Sequence, residues 1–253
     1  MTTLLALRFG IAAAMLFAIS LACRESRPRG RTLAALILLG GLGYGGQAFT
    51  FFTALTLAPA GVVALLLYLY PALVTALSAW VLREKLTAAK LAALAVALLG
   101  TVLTIGPASA AQPLGIALGI AAAAIYSVYI VAGSRLSARV PPRQMATVVT
   151  GSAAAVFAAA ALAEGPVWPG TAAGWLSIVG IAVVSTVAAI ALFFAGLERI
   201  GPTRASVLST VEPLCTVLLA ALILGETIAP LQLVGGALIL SAVVLLAREA
   251  SSS

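Results

Sequence analysis

The 253-residue sequence has no histidine and no aspartate, seven acidic residues that are all glutamate, and two cysteines. Without histidine and aspartate, aspartyl intramembrane proteases, Asp-rich prenyltransferases, His-dependent phosphatases and Ser-His proteases each lack a required group. Catalysis is therefore not expected. Cys23 and Cys215 stand in apolar surroundings with neither metal nor redox spacing, which assigns them to packing. With no paired cysteines or clustered carboxylates, no metal and no cofactor is expected. Charge is scarce too: 8% of residues are charged and 63% hydrophobic, with a mean hydropathy of +1.19. So little polar surface cannot clothe a water-soluble globule, and the solvent of this chain is lipid.

What is present in quantity is long apolar runs. Backbone amides in hydrocarbon must be satisfied within the segment, so runs of this length are helices. They predict an all-α, polytopic membrane protein of about nine transmembrane helices, over residues 4–23, 32–56, 60–82, 88–106, 113–132, 144–163, 174–197, 203–224 and 230–247. The first run lacks a preceding basic region and reads as a true span, not a cleaved signal. Pro28, Pro59, Gly106-Pro107, Pro141-Pro142, Gly165-Pro166, Gly201-Pro202 and Pro230 punctuate the loops.

The net charge of +7 comes from arginines and lysines scattered over short loops, so it does not indicate a nucleic-acid partner. Taken over alternate loops it indicates orientation. Arg24, Arg27, Arg29, Arg31, Arg83, Lys85, Lys90, Arg135, Arg139, Arg143, Arg199, Arg204 and Arg248 fall on one side, and Arg8 alone on the other. Basic residues stay on the cytoplasmic side, so the expectation is a multi-pass protein of a bacterial-type inner (plasma) membrane with a cytoplasmic C-terminus.

The chain also matches itself at an offset of 142 residues: Phe51-Phe52 falls on Phe193-Phe194, Leu55 on Leu197, Pro71 on Pro213 and Glu84 on Glu226. Leucine and alanine matches mean little in so apolar a chain, but prolines and glutamates are rare enough to carry the comparison. Five helices lie within the offset, an odd number, so equivalent helices would cross in opposite directions. Inverted repeats of this kind are built into secondary transporters, with the solute site near the bilayer midplane. The expected domains are a first repeat over 1–106, incomplete with four helices, and a second over 107–253 with five. The helix at 113–132 has no partner, because its equivalent would precede Met1. A start upstream of Met1 is the favoured expectation and loss of the span the other.

Leu7-Arg8-Phe9 in the first run, Tyr70-Pro71 followed by Leu82-Arg83-Glu84, and Glu212-Pro213 followed by Leu224-Gly225-Glu226 together resemble the drug/metabolite transporter superfamily, specifically its ten-helix EamA-type exporters. The resemblance covers essentially the whole chain. It implies two five-helix inverted repeats, from which this sequence departs by lacking the first helix.

Candidate functional residues follow from polarity at membrane depth. Glu212, expected well inside the helix at 203–224, needs a cavity or a partner. It reads either as a proton-coupling or amine-binding carboxylate, or as a hydrogen-bonded structural group. Pro71 and Pro213 remove a backbone hydrogen bond each and are expected to kink their helices as hinges. Tyr44, Gln47 and Phe51 recur at helical spacing beside Gly40, Gly41, Gly43, Gly45 and Gly46, which permit close backbone approach. Tyr68, Tyr70, Tyr126, Ser127, Tyr129, Ser185, Thr186, Ser209 and Thr210 add polar groups. Each singly reads more readily as an interhelical bond or an interfacial anchor, but together they describe an aromatic, modestly polar pocket for amino acids or related metabolites. Trp80, Trp168 and Trp175 read as interface anchors, and Glu84 and Glu226 as capping or ion-pairing residues.

The function expected is a secondary transporter of small organic solutes, working as an exporter by alternating access, with protons as the candidate coupling ion. The alternative is a non-transporting scaffold or regulator, or an inactive truncated transporter. A passive channel is disfavoured because no ring of like charges is visible.

Overall fold

The computed structural model describes residues 1–23, 28–105, 112–224 and 228–251. Among them all regular structure is helical: α1 (Thr2–Ala22), α2 (Gly30–Leu38), α3 (Gly45–Ala54), α4 (Ala60–Leu67), α5 (Tyr70–Val81), α6 (Ala88–Ile105), α7 (Pro113–Ser137), α8 (Pro142–Glu164), α9 (Ala172–Ala182), α10 (Ala189–Leu208), α11 (Val211–Leu224) and α12 (Pro230–Ser251). Two π-helical turns, Leu39–Tyr44 and Val183–Ala188, join α2 to α3 and α9 to α10. Among the described residues, eight helical stretches are long and apolar enough to cross a bilayer, and Val211–Ile223 is a shorter apolar one. The chain is an all-α polytopic membrane protein.

The spans expected at 4–23, 88–106, 113–132, 144–163 and 230–247 are single helices, while the other four are composite. The span at 60–82 is interrupted at Tyr68-Leu69, directly before Pro71 in the first turn of α5. The break expected at Gly201-Pro202 is a kink: Gly201 has non-helical backbone (φ 78°, ψ 171°), and two helical segments meet there within α10. A further interruption falls at Ser209-Thr210, just ahead of Pro213 in the first turn of α11. In both cases the proline stands in the first turn of the new helix, where its N–H would be unpaired anyway, and its ring would clash with the carbonyl four residues back if the preceding helix ran on through it. The two prolines thus begin new half-helices, where the sequence suggested kinks in continuous ones.

The π turns follow from weak local preference for the α register: three glycines lie in Leu39–Tyr44 and four β-branched residues in Val183–Ala188. Shifted by 142 residues, the first π turn covers 181–186 and overlaps the second. The two interruptions match to within one residue under the same shift.

The helices form two compact units, Met1–Phe49 with Ala132–Gly201, and Thr50–Val131 with Pro202–Ser253. Each unit draws on both halves of the sequence. In the first, α1 packs along α8, its equivalent at the 142-residue offset. α1 buries Leu5, Phe9, Ala12 and Leu16, spaced for one helical face, and α8 buries Met145, Val149, Ala153 and Phe157. The Phe9 and Phe157 rings stack at 5.7 Å. A Cβ on Gly40 would overlap the backbone of Val149, so the first π turn lies directly against α8.

In the second unit α6 packs along α12, again its equivalent. The buried seam is Ala93, Ala97, Gly100 and Thr104 on α6, and Gly235, Ile239, Ala242 and Leu246 on α12. These two sets correspond position for position at the same offset. Mostly small residues let the backbones come close, which is how helices associate where lipid gives no hydrophobic drive.

The cysteines correct the packing expectation. Cys23 and Cys215 are both exposed, and the Cys23 sulfur accepts a 3.3 Å hydrogen bond from Arg143 Nη1. Arg24, Arg27, Gly106-Pro107, Gly225 and Glu226 lie outside the described residues.

Candidate functional site

The second unit contains a cleft of about 330 Å³ where the interrupted helices end and restart, a size suited to a small organic solute. Four sequence candidates line it: Phe51 from α3, Tyr68 from the interruption between α4 and α5, and Glu212 and Pro213 from the start of α11. Three polar residues that sequence reasoning passed over line it as well, Thr104, Thr216 and Gln232.

Glu212 is not at mid-helix. It is the second residue of α11, where the unpaired amides and the dipole of a half-helix favour a carboxylate. That position resolves the cost of burying a charge deep in a continuous span. Its Oε2 accepts a 3.2 Å hydrogen bond from the Tyr68 hydroxyl, and among the described residues no hydrogen bond engages Oε1. Glu212 is exposed to the cleft, while Tyr68 is 8% exposed. The carboxylate therefore has an anchored oxygen and one available to a donor such as an ammonium group.

The other polar groups are partly committed. Thr216 Oγ1 donates to Glu212 O at 3.0 Å, and Thr104 Oγ1 to Gly100 O at 2.8 Å. The Gln232 amide donates to Thr104 O at 3.4 Å and accepts from Ala229 N–H at 2.9 Å. These bonds set side-chain orientation around the cleft, and each of these oxygens keeps lone pairs that could accept a further hydrogen bond.

Tyr70, Tyr126 and Tyr129 are not among the lining residues; they form an aromatic chain. Tyr70 lies 6.1 Å from Tyr68 and 4.9 Å from Tyr126, which stacks on Tyr129 at 5.7 Å. The Tyr70 hydroxyl donates to Ser206 O at 3.3 Å, and Ser127 Oγ donates to Tyr70 O at 3.3 Å. Tyr70 thus bridges the α5 start to α10. Ser209 Oγ donates to Ala205 O at 3.0 Å, and its carbonyl accepts from Glu212 N–H at 3.1 Å, closing the turn between α10 and α11.

Tyr44, Gln47 and Ser185 belong to the first unit. Tyr44 ends the first π turn and meets Phe9 edge-on at 5.3 Å. Gln47 is buried in α3. Ser185 lies in the second π turn, where its carbonyl accepts from Arg8 Nη2 at 3.1 Å. Trp80 is exposed near the end of α5, and Trp168 and Trp175 stack at 6.4 Å at the turn between α8 and α9. Glu84 pairs with Lys90 Nζ at 2.8 Å and accepts from Thr203 Oγ1 at 2.8 Å.

A polytopic helical protein with half-helices meeting at a polar, aromatic cleft belongs among membrane solute carriers. The chain is a member of the EamA-like transporter family, whose model matches residues 1–106 and 113–248. It is 30% identical over 247 residues to an uncharacterized transporter of Archaeoglobus fulgidus, covering 98% of this chain and 86% of that protein. It is 33% identical over 180 residues to the aromatic amino acid exporter YddG of Ancylobacter novellus, covering 69% of this chain and 62% of that one. A solved crystal structure superposes with a TM-score of 0.84 at 29% identity, over 99% of this chain and 88% of that one.

Proposed function

We propose that this transporter moves amino acids or related small metabolites outward across the inner membrane by alternating access. The protein would carry two inverted repeats, 1–106 and 107–253, and keep its C-terminus in the cytoplasm. The observation that carries the proposal is the Glu212 carboxylate at the head of a half-helix, anchored by Tyr68 within a solute-sized cleft of a member of a transporter family. Kinship with an aromatic amino acid exporter supports the solute class. Close packing of α6 against its repeat equivalent α12, and of α1 against α8, supports the repeat assignment.

In this reading Glu212 binds the solute amine or the coupling proton, Phe51 and Tyr68 contact its apolar part, and Pro71 and Pro213 set the hinge points between half-helices. Tyr70, Tyr126, Tyr129, Ser209, Tyr44, Gln47 and Ser185 shape or line the path. The test is pH-driven transport of an aromatic amino acid panel in proteoliposomes. Glu212→Gln is expected to abolish it while leaving folded protein in the membrane. Undiminished transport by the variant would refute the coupling role, and a wild-type protein that moves no solute would favour the scaffold or inactive-transporter alternative.

A further inference from the structure

Arg8 has no part in the cleft, and it is the residue whose position the foregoing reading leaves without a purpose. It lies on α1 (Thr2–Ala22), about 10 Å along the helix from its first residue, within a span long and apolar enough to cross the bilayer. A guanidinium there is costly unless an anion, a carbonyl or water compensates it. Among the described residues no carboxylate forms an ion pair with Arg8.

What holds Arg8 is the second π turn. Nε donates to Thr186 Oγ1 at 2.7 Å and Nη2 to Ser185 O at 3.1 Å. The wide turn also aims Thr186 Oγ1 at Ile181 O, 3.4 Å away and five residues back. π turns inside α-helices recur at functional sites because they displace backbone groups from the regular ladder. The guanidinium carries five N–H donors, and these two bonds take one edge of it. The outer edge, with Nη1 and the second hydrogen of Nη2, has no acceptor among the described residues. Arg8 is partly exposed, and its Cζ stands 5.3 Å from the Phe9 ring, which in turn meets Tyr44 and Phe157. The result is a cation fixed in orientation on one side, open on the other, beside an aromatic wall.

We propose that the open edge of Arg8 is a binding site for the carboxylate of an organic solute. A planar guanidinium with two parallel N–H groups matches a carboxylate in a bidentate pair, and the π turn supplies the rigidity that keeps the fork aimed. The inference rests on the transporter reading for the identity of the solute, but its test does not require transport.

The probes are phenylalanine and phenylalaninamide, which differ in the carboxylate, titrated calorimetrically into purified protein in detergent. Wild type is expected to bind phenylalanine at least about tenfold more tightly than the amide, as fits a charge-assisted pair. Arg8→Lys is expected to lose most of that preference and Arg8→Gln all of it, with binding of the amide unchanged. Size-exclusion profile and melting temperature establish that each variant is folded. A merely structural Arg8 would alter melting without touching the acid-to-amide ratio. The proposal is overturned if wild type fails to discriminate, if it binds neither compound at millimolar concentration, or if folded Arg8→Gln retains the preference. Should one variant fail to fold, the other decides, and a wild type that does not discriminate overturns the proposal in either case. Absence of transport by a protein that shows the preference would sink the transporter reading and leave the carboxylate site standing.

Discussion

Gly100 and Gly235 lie backbone against backbone: a Cβ on Gly100 would come within 2.7 Å of the Gly235 carbonyl oxygen, and one on Gly235 within 2.6 Å of the Gly100 oxygen. Each glycine meets the other's backbone, so the two helices approach here as closely as backbones can. Thr104 Oγ1 and Ile239 Cγ1 crowd the same positions, but the backbone atoms there cannot turn aside as a side-chain end could. Gly235→Ala should therefore separate the helices and cost about 1–3 kcal/mol, read as a lower midpoint of unfolding in detergent. Gly10→Ala on α1, where a Cβ would meet nothing within 4 Å, is the control and should leave the midpoint unchanged or slightly higher. Equal effects at the two sites would show that backbone proximity does not hold the seam.

The Tyr68 and Tyr70 hydroxyls sit two residues apart and should separate function from stability. Tyr68 donates to the cleft carboxylate, so Tyr68→Phe should raise the solute KM by about two- to tenfold, the range of one hydrogen bond, with little effect on unfolding. Tyr70 donates to the Ser206 carbonyl in buried surroundings. Tyr70→Phe strands that acceptor and should lower stability by about 1–3 kcal/mol. Proteoliposome kinetics and detergent unfolding, measured on both variants, check the split. A transport defect in Tyr70→Phe without loss of stability would place Tyr70 on the solute path.

The contrast between these neighbours marks where sequence reading stops. The spans were legible because hydrocarbon forbids unpaired backbone, so length and apolarity are nearly sufficient. Glu212 was legible because a charge within an apolar run must have a reason, and Glu84 because a carboxylate beside Lys85 and Lys90 will pair. Pro71 and Pro213 announced irregularity, but a proline does not say whether a helix bends or ends. That depends on whether something receives the freed groups, as Tyr70 and Ser209 do here. The π turns left no pattern, since an i→i+5 register has no side-chain period of its own. Thr104, Thr216 and Gln232 were missed because single hydroxyls and amides are common in such helices as interhelical bonds. Gln232 offered the strongest signal, an amide in the first turn of an apolar helix.

Arg83 caps α5 in the left-handed region, at φ 55°. Leu82 and Glu84 N–H both reach Ser78 O, at 3.0 and 3.1 Å, a helix end that ordinarily uses glycine at the left-handed position. The second half of the sequence has Gly225 at the equivalent place. Arg83→Gly should relieve about 1 kcal/mol of backbone strain and raise the unfolding midpoint. Arg83→Val, branched at Cβ, should lower it. A glycine variant less stable than wild type would mean that the arginine side chain contributes more than its backbone costs.

Orientation is the expectation with the widest reach, because it assigns thirteen of the fourteen basic residues to one side of the membrane. Lys85 follows α5, and Gly170 lies between α8 and α9 in a stretch without Lys or Arg. In a background with Cys23 and Cys215 replaced by serine, single cysteines at these two positions should react oppositely with a membrane-impermeant maleimide on intact cells. Gly170→Cys should be labelled at once, and Lys85→Cys only after the membrane is permeabilised. Both replacements avoid the seam and the cleft, so folded protein is expected in each case. Labelling of Lys85→Cys in intact cells would reverse the orientation, and labelling of both there would remove the basis for assigning the basic loops to the cytoplasm.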